Sequence, residues 1–149
     1  MSNNIKYCIR VPETKIELDS YYRLRWEILR KPLGQSINST KDEFEKDSYH
    51  LIAITNEKKI IGVGRLHNVD QNTAQIRYMA INKKFRGNGI GTKILLMLIR
   101  KASKDKITKI LLHSREEAIS FYEKNNFKLI KKSHLLFNTI QHYYMEIIL

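Results

Sequence analysis

The segment Tyr78-Met-Ala-Ile-Asn-Lys-Lys-Phe-Arg-Gly-Asn-Gly-Ile-Gly-Thr92 constrains this chain more than any other stretch. It reads as a strand, a short glycine-rich loop and the start of a long amphipathic helix. Arg86, Gly87, Gly89 and Gly91 fall where that helix begins. The first turn of a helix leaves backbone N–H groups unpaired, and the positive end of the helix dipole points the same way. Glycines let an anion approach the backbone and permit turns that a side chain would forbid. The stretch therefore describes a pocket for a phosphate or pyrophosphate. A further strand over 106–112 follows the helix. Such a strand–helix–strand unit implies a parallel pair with a right-handed crossover.

Three phosphate motifs compete for the loop. The dinucleotide fingerprint needs Gly-x-Gly-x-x-Gly and an acidic residue about 20 positions on. Here Thr92 stands where the last glycine belongs, and Ile107 lies near the acidic position. The P-loop needs Gly-Lys-Ser/Thr in succession, whereas here Thr92 precedes Lys93. What remains is Arg-x-x-Gly-x-Gly, met by Arg86, Gly89 and Gly91. With its flanks, that pattern resembles the GNAT superfamily of acyl-CoA-dependent N-acetyltransferases. A second match lies about thirty residues downstream. Arg115-Glu-Glu-Ala-Ile-Ser-Phe-Tyr-Glu-Lys-Asn-Asn-Phe127 is similar to the family's Ala-x-x-Phe-Tyr-x-x-x-Gly-Phe segment. Asn126 replaces the glycine, and Asn is the residue that best tolerates φ > 0 after glycine. The resemblance covers roughly Ile60 to Leu149, with a weaker echo in Leu24 to Gly34.

A chain of 149 residues suits one domain, here an expected single N-acetyltransferase domain over 1–149. No stretch reaches the ~20 apolar residues of a membrane span. The N-terminal Met-Ser-Asn-Asn-Ile-Lys lacks the apolar core of a signal peptide. The one cysteine, Cys8, excludes an intrachain disulfide and a Cys-based zinc cluster. No His/Asp/Glu spacing points to a metal. A cytoplasmic protein without a membrane partner is the expectation. The net charge of +12 raises nucleic-acid binding. Its lysines are scattered, however, and its aromatic residues are not interleaved with basic ones as in an RNA-binding sheet. A solvated basic surface is favoured, with some charge serving phosphates.

Periodicity supplies the remaining elements. A first strand spans 5–11, ended by Pro12. A helix carries Leu18 to Leu29, capped by Asp19 or Thr14 and ended by Pro32 and Gly34. Residues 35–41 read as a loop and 42–46 as a helical turn. Strands over 49–55, 60–67 and 74–81, joined by short polar turns, imply an antiparallel meander. Ile90, Ile94, Leu95, Leu98 and Ile99 form one stripe of the helix after the glycine loop. A second helix spans 115–124, and strands over 127–132 and 141–148 close the chain. The order is mixed α/β (α+β). It agrees with the fold that the resemblance implies. That fold is a mostly antiparallel sheet of six to seven strands with one parallel pair, flanked by about four helices.

Acyl transfer from acetyl-CoA to an amine needs a phosphate cradle, a polarised carbonyl, a proton for the leaving thiolate and a neutral amine. The cradle is Arg86, Gly87, Asn88, Gly89, Ile90, Gly91 and Thr92. The resemblance implies that the pantetheine arm pairs with backbone at Met79, Ala80 and Ile81, where an N–H would polarise the carbonyl. It also places Tyr122 near the sulfur, where a phenol of pKa ~10 stays protonated and can donate. The base is open among His142, His113, His67 and Glu27. His142 leads, because a His-x-x-Met-Glu-like ending in the resembled subgroup matches His142, Met145 and Glu146. Arg115 is a candidate CoA contact, with Ser114 beside it. Tyr21, Tyr22 and Trp26 either line an acceptor pocket or pack in the core. The reading is direct attack by a primary amine, of a small molecule or a protein, on acetyl-CoA in a ternary complex. The rivals are a non-catalytic acyl-CoA sensor on the same fold and a small basic nucleic-acid-binding protein. A homodimer is compatible with everything above.

Overall fold

A computed structural model places residues 4–149, and Met1, Ser2 and Asn3 of the N-terminal stretch lie outside these described residues. Seven strands form one sheet in the order β1-β2-β3-β4-β5-β7-β6. They are β1 (Tyr7–Arg10), β2 (Tyr49–Thr55), β3 (Ile60–Asn68), β4 (Thr73–Ile81), β5 (Lys109–Arg115), β6 (Lys128–Leu136) and β7 (Ile140–Ile148). Every neighbouring pair is antiparallel except β4 and β5. The α-helices are α1 (Lys15–Leu29), α2 (Ile90–Lys104) and α3 (Ile119–Lys124). Three short 3-10 turns, Lys31–Leu33, Ile37–Thr40 and Glu45–Asp47, take the place of a further helix after α1. Among the described residues, no helix is long and apolar enough to cross a membrane.

Alternation along the strands assigns the two faces. Leu51 and Ala53 of β2 join the stripe of α2 (Ile90, Ile94, Leu95, Leu98) in one core. Ile52 and Ile54 face Tyr21 and Leu24 of α1 in a second, smaller core. The two long helices therefore lie on opposite faces of the sheet. The α2 stripe runs on to buried Ala102, while Ile99 is half-buried at its edge.

Glycines set how closely α2 approaches. A methyl group on Gly64 would sit 2.6 Å from Met79 Sδ and 2.8 Å from Ile94 Cγ2. One on Gly62 would lie 2.9 Å from Ile81 Cδ1.

Several boundaries depart from the sequence reading. Thr14, not Asp19, caps α1, its hydroxyl accepting the Glu17 N–H at 3.1 Å. The strand after α2 begins at Lys109 rather than 106, because α2 ends in a Schellman turn. Ile107 N–H bonds Ala102 O, Lys106 N–H bonds Ser103 O, and Lys106 holds φ 64°. Lysine does the work usually given to glycine, so no sequence signal marked the turn. The same motif ends α3, with Asn126 at φ 72° and Phe127 N–H on Tyr122 O; here the expectation for Asn126 holds. Arg115, read as the start of a helix, is the last residue of β5. The final hairpin is longer than expected and turns tightly through Phe137 and Asn138, both at positive φ (53° and 58°).

The glycine argument gives a measurable outcome. Gly64→Ala overpacks the α2 core and should cost about 1–3 kcal/mol of unfolding free energy. Urea denaturation of the two proteins reads this directly, and an unchanged midpoint would contradict it.

Candidate active site

Strands β4 and β5 pair over only three residues, Thr73↔Lys109, Ala74↔Ile110 and Gln75↔Leu111. Beyond Gln75 they separate. Among the described residues, the β5-facing edge of β4 has no strand partner from Ile76 to Ile81. The divergence is reinforced on the other side of β4, where Val63 pairs Ala80 but Arg65 pairs Arg77. Two residues, Tyr78 and Met79, thus oppose Gly64 alone, which is a β-bulge. Tyr78 adopts φ 59°, a strained conformation for an aromatic residue, and strain of this kind clusters at functional sites.

The split opens into a cavity of about 960 Å³ that passes from one face of the sheet to the other. On the α2 side it reaches the glycine loop. Gly87 and Gly89 hold positive φ (82° and 76°), and Gly89 is the N-cap of α2. The first bond of α2 is Lys93 N–H to Gly89 O. The N–H groups of Gly87, Asn88, Gly89, Ile90, Gly91 and Thr92 have no acceptor among the described residues. Six successive free donors at a helix start form an anion nest. Arg86 stands at its edge, its Nε 3.4 Å from Ile81 O.

The sequence-derived residues are brought together almost completely. Met79, Ala80, Ile81, Arg86, Gly87, Gly89, Ile90, Gly91, Thr92, Arg115, Tyr122 and His142 all line the cavity. Asn88 does not. Its amide donates to Phe85 O at 2.9 Å and braces the loop instead. Arg115 lies away from the nest, on the α1 side, where it donates to Leu29 O at 2.8 Å. Glu27 is exposed and outside the cavity. His67 is buried under Phe44, its Nδ1 2.9 Å from Arg65, and belongs to the core. Tyr21 meets His50 Nδ1 at 2.7 Å, Tyr22 meets Glu45 at 3.2 Å, and Trp26 donates to Gln35 O at 2.8 Å. These aromatics pack; Ile28, Leu29 and Arg30 of α1 meet the cavity in their place.

Tyr122 sits on α3 between Phe121 and Phe127, in edge-to-face contact with both. Burial pushes its phenol well above the usual value, so the hydroxyl keeps its proton throughout the neutral range. His142 is on β7, register partner of Arg115 on β5. Its Nδ1 lies 3.1 Å from Ile140 O, which fixes Nδ1 as the protonated nitrogen and leaves Nε2 free to accept. Burial holds its pKa below that of free imidazole.

Two further histidines complete this wall. His134 of β6 stacks on His142 with ring centres 4.7 Å apart. His113 meets the edge of His134 and hydrogen-bonds Ser133 Oγ at 2.9 Å. Burial, then the neighbouring imidazoles, pushes His113 down to about 4. His134 was missed because only the 128–136 strand, longer than its hydrophobic pattern showed, carries it to the site. Tyr78 was missed because a bulge leaves no compositional mark.

Comparison with known proteins agrees with this geometry. Residues 27–149 match the acetyltransferase (GNAT) domain family. The chain belongs to the GNAT acetyltransferase family. The uncharacterized N-acetyltransferase YjcF of Bacillus subtilis is 25% identical over 127 residues, 85% of this chain and 89% of that protein. An aminoglycoside 6'-N-acetyltransferase complexed with coenzyme A shares the fold at TM-score 0.79 and 13% identity, over 95% of this chain and 96% of the other. A GNAT acetyltransferase of Elizabethkingia anophelis with acetyl-CoA bound does so at TM-score 0.73 and 19% identity, over 99% and 100%. This GNAT protein is an N-acetyltransferase.

The histidines give a pH prediction. All five have pKa values depressed in the folded state, against about 6.5 in the unfolded chain. Between those values the unfolded state binds more protons, so stability rises with pH there. The stability is fully present above about pH 6.5 and is lost as pH falls towards 4, the value for His113. The Tm should therefore drop between pH 7 and pH 5, and His113→Asn should drop less. Equal pH slopes for the two proteins would refute the assignment.

Proposed function

We propose that this chain, acting as one N-acetyltransferase domain, moves an acetyl group from acetyl-CoA to a primary amine by direct attack in a ternary complex. The acceptor is a small molecule or a protein amino group. One observation carries the reading. The anion nest, the unpaired edge of β4, Tyr122 and His142 border a single continuous cavity.

The residues fit the donor. Six free N–H groups between Gly87 and Thr92, with Arg86, suit a pyrophosphate. The unpaired edge at Met79, Ala80 and Ile81 offers backbone donors and acceptors to a pantetheine amide chain. Coenzyme A and acetyl-CoA bound to the two solved neighbours support the same choice. When bound, acetyl-CoA supplies the acyl carbon and a thiolate leaving group.

The exchange joins the amine nitrogen to the acyl carbon and breaks the carbon–sulfur bond. One proton leaves nitrogen and one reaches sulfur. Tyr122, protonated and buried, is placed to give the second. Nε2 of His142, free and neutral, is placed to receive the first, directly or through water. On this reading a β4 N–H near Met79, on the edge without a strand partner, donates to the oxygen on which charge develops. Because donor and acceptor sides meet in one cavity, no covalent acyl-enzyme is needed, and Cys8 is exposed on β1 far along the sheet.

Thiol release from acetyl-CoA with pooled amines, alongside calorimetry with CoA, tests this. Tyr122→Phe should lower kcat by about 10²-fold while leaving the Kd for CoA unchanged. Gly89→Val, forced to φ 76° at the N-cap, should weaken CoA binding instead. CoA binding without turnover on any amine would favour an acyl-CoA sensor. No CoA binding would end the reading.

A further inference from the structure

The α1 side of the cavity carries charge that the chain does not neutralise. Arg30 Nη1 and Arg115 Nη2 both donate to one oxygen, Leu29 O, at 3.2 and 2.8 Å. Two guanidinium groups are thereby held next to each other. Among the described residues, neither has a carboxylate within salt-bridge distance, although Arg10, Arg25, Arg65 and Arg77 all do. Among the described residues, Glu117 is the one carboxylate on the cavity wall. It acts on Arg115 only at longer range.

Helix capping does not account for the arrangement. The end of α1 needs a donor for an orphan carbonyl, and one guanidinium would serve. Two leave a pair of like charges, both partly desolvated, with only a neutral acceptor between them. Burial lowers the pKa of both groups, and for Arg30 the nearby Arg77 and Arg115 charges lower it further, so an anion entering between them relieves an unfavourable site. The pair is also held in place. Arg30 Nε donates to Ser39 O at 3.2 Å, and its guanidinium lies between the rings of Tyr78 and Phe137, 5.7 and 5.5 Å away. Phe137 reaches it because the β6–β7 turn bends through two positive φ angles.

Position relative to the base narrows the ligand. Arg115 and His142 are register partners on adjacent antiparallel strands, so their side chains share one face within about 5.5 Å at Cα. An anion held by Arg115 therefore lies only a few bonds from a nitrogen that reaches His142.

We infer that the acceptor is a small amino acid-like molecule, whose carboxylate is gripped by Arg30 and Arg115 while its amine faces His142. This rests on the acetyltransferase reading and names the substrate class for it. A planar carboxylate matches guanidinium donors two at a time. Polyamines are excluded by the same charge.

The experiment compares matched probes on the full chain. One pool holds free amino acids, one their carboxamides, and one contains spermidine and spermine. Acetyl transfer is read by thiol release, and binding by thermal shift without acetyl-CoA. Free amino acids should exceed their carboxamides by about 30-fold or more in kcat/KM, the scale of a lost buried charge partner. Arg115→Gln should abolish that ratio through KM and leave the Kd for CoA unchanged. Arg115→Lys should restore part of it, since lysine keeps the charge without the fork. Circular dichroism of each variant separates loss of fold from loss of recognition. Equal rates on acids and amides, or a preference for polyamines, would overturn the inference while leaving the acetyltransferase intact. Thermal stabilisation of the native protein by amino acids, absent in Arg115→Gln and without any acetyl transfer, would keep the pocket and overturn the transferase. If amino acids neither stabilise the protein nor become acetylated, the pocket assignment fails.

Discussion

Strand pairing between β4 and β5 stops after three residues, and the site exists because it stops. A sheet that closed normally would bury this edge in hydrogen bonds and fill the gap with side chains. Instead the bulge at Tyr78 and Met79 turns β4 away from β5. The strain is considerable: a bulky residue in the left-handed region costs about 1–3 kcal/mol. Its offset is visible in the packing. The Tyr78 ring is buried with four guanidinium groups around it, those of Arg25, Arg77, Arg65 and Arg30 at 4.0, 4.6, 5.0 and 5.7 Å. Cation–π attraction strengthens when desolvated, so the environment that strains the backbone also rewards the ring. On the opposite face Gly64 makes room for Met79 and for α2. The bulge and the glycine therefore act as one device.

The arginines around Tyr78 do a second job. Residues 31–48 contain no long helix or strand, yet they pack beneath the α1 side of the sheet and bring Pro32 to the cavity. They are fixed by charge. Asp42 bonds Arg65 and Arg77, and Glu45 bonds Arg65 and Arg25, at 2.6 to 2.9 Å. Arg25 and Arg65 are fully buried. Hydrogen bonds to Arg65 and to the Phe44 N–H hold the Asp42 carboxyl far below its ordinary range, against the cost of burial. Buried ion pairs add little net stability but punish any structure that separates them. That property suits an irregular segment, which has no ladder of backbone bonds to specify its path. The interaction that fixes the loop is thus the one that fixes the bulge.

Much of this was legible in the sequence, and the limits are physical. Elements with a period were read well: β2, the meander and the α2 stripe each show the spacing of their own geometry. The nest was legible because Gly87 and Gly89 occupy positive φ that other residues avoid. Turns built on Lys106, Tyr78 and Phe137 were invisible, since each residue type argues against the conformation it adopts. Tertiary contacts overrule propensity at all three. The site residues on α2 and α3 came from paired motifs. Those on the α1 side, namely Arg30, His113 and His134 acting together, came from no motif. They meet only because β5, β6 and β7 pair in a particular register, and pairing register over such a distance is not written in local pattern. Arg115 shows the difference: its motif position made it a candidate CoA contact, while its strand register turns it to the α1 side, away from the nest.

The two ends of the cavity are both positive, for different reasons. At the nest the charge is partial, made of backbone N–H groups and a helix dipole, and it suits a diffuse diphosphate. At the α1 end it is formal, concentrated on Arg30 and Arg115. Beside those arginines lie three histidines, all kept neutral by burial. Their neutrality matters for the chemistry. An ammonium ion cannot attack a carbonyl, and nearby cations lower the pKa of an amine by favouring its neutral form. Uncompensated guanidinium groups would also repel the ammonium on entry. A carboxylate on the same molecule resolves the conflict, because it pairs with the arginines and brings the amine in with no net charge. In the proposed reading the seated amine lies beside His142, whose Nε2 carries no proton, and in a field that favours its deprotonation. On that reading, recognition and activation come from the same pair of arginines.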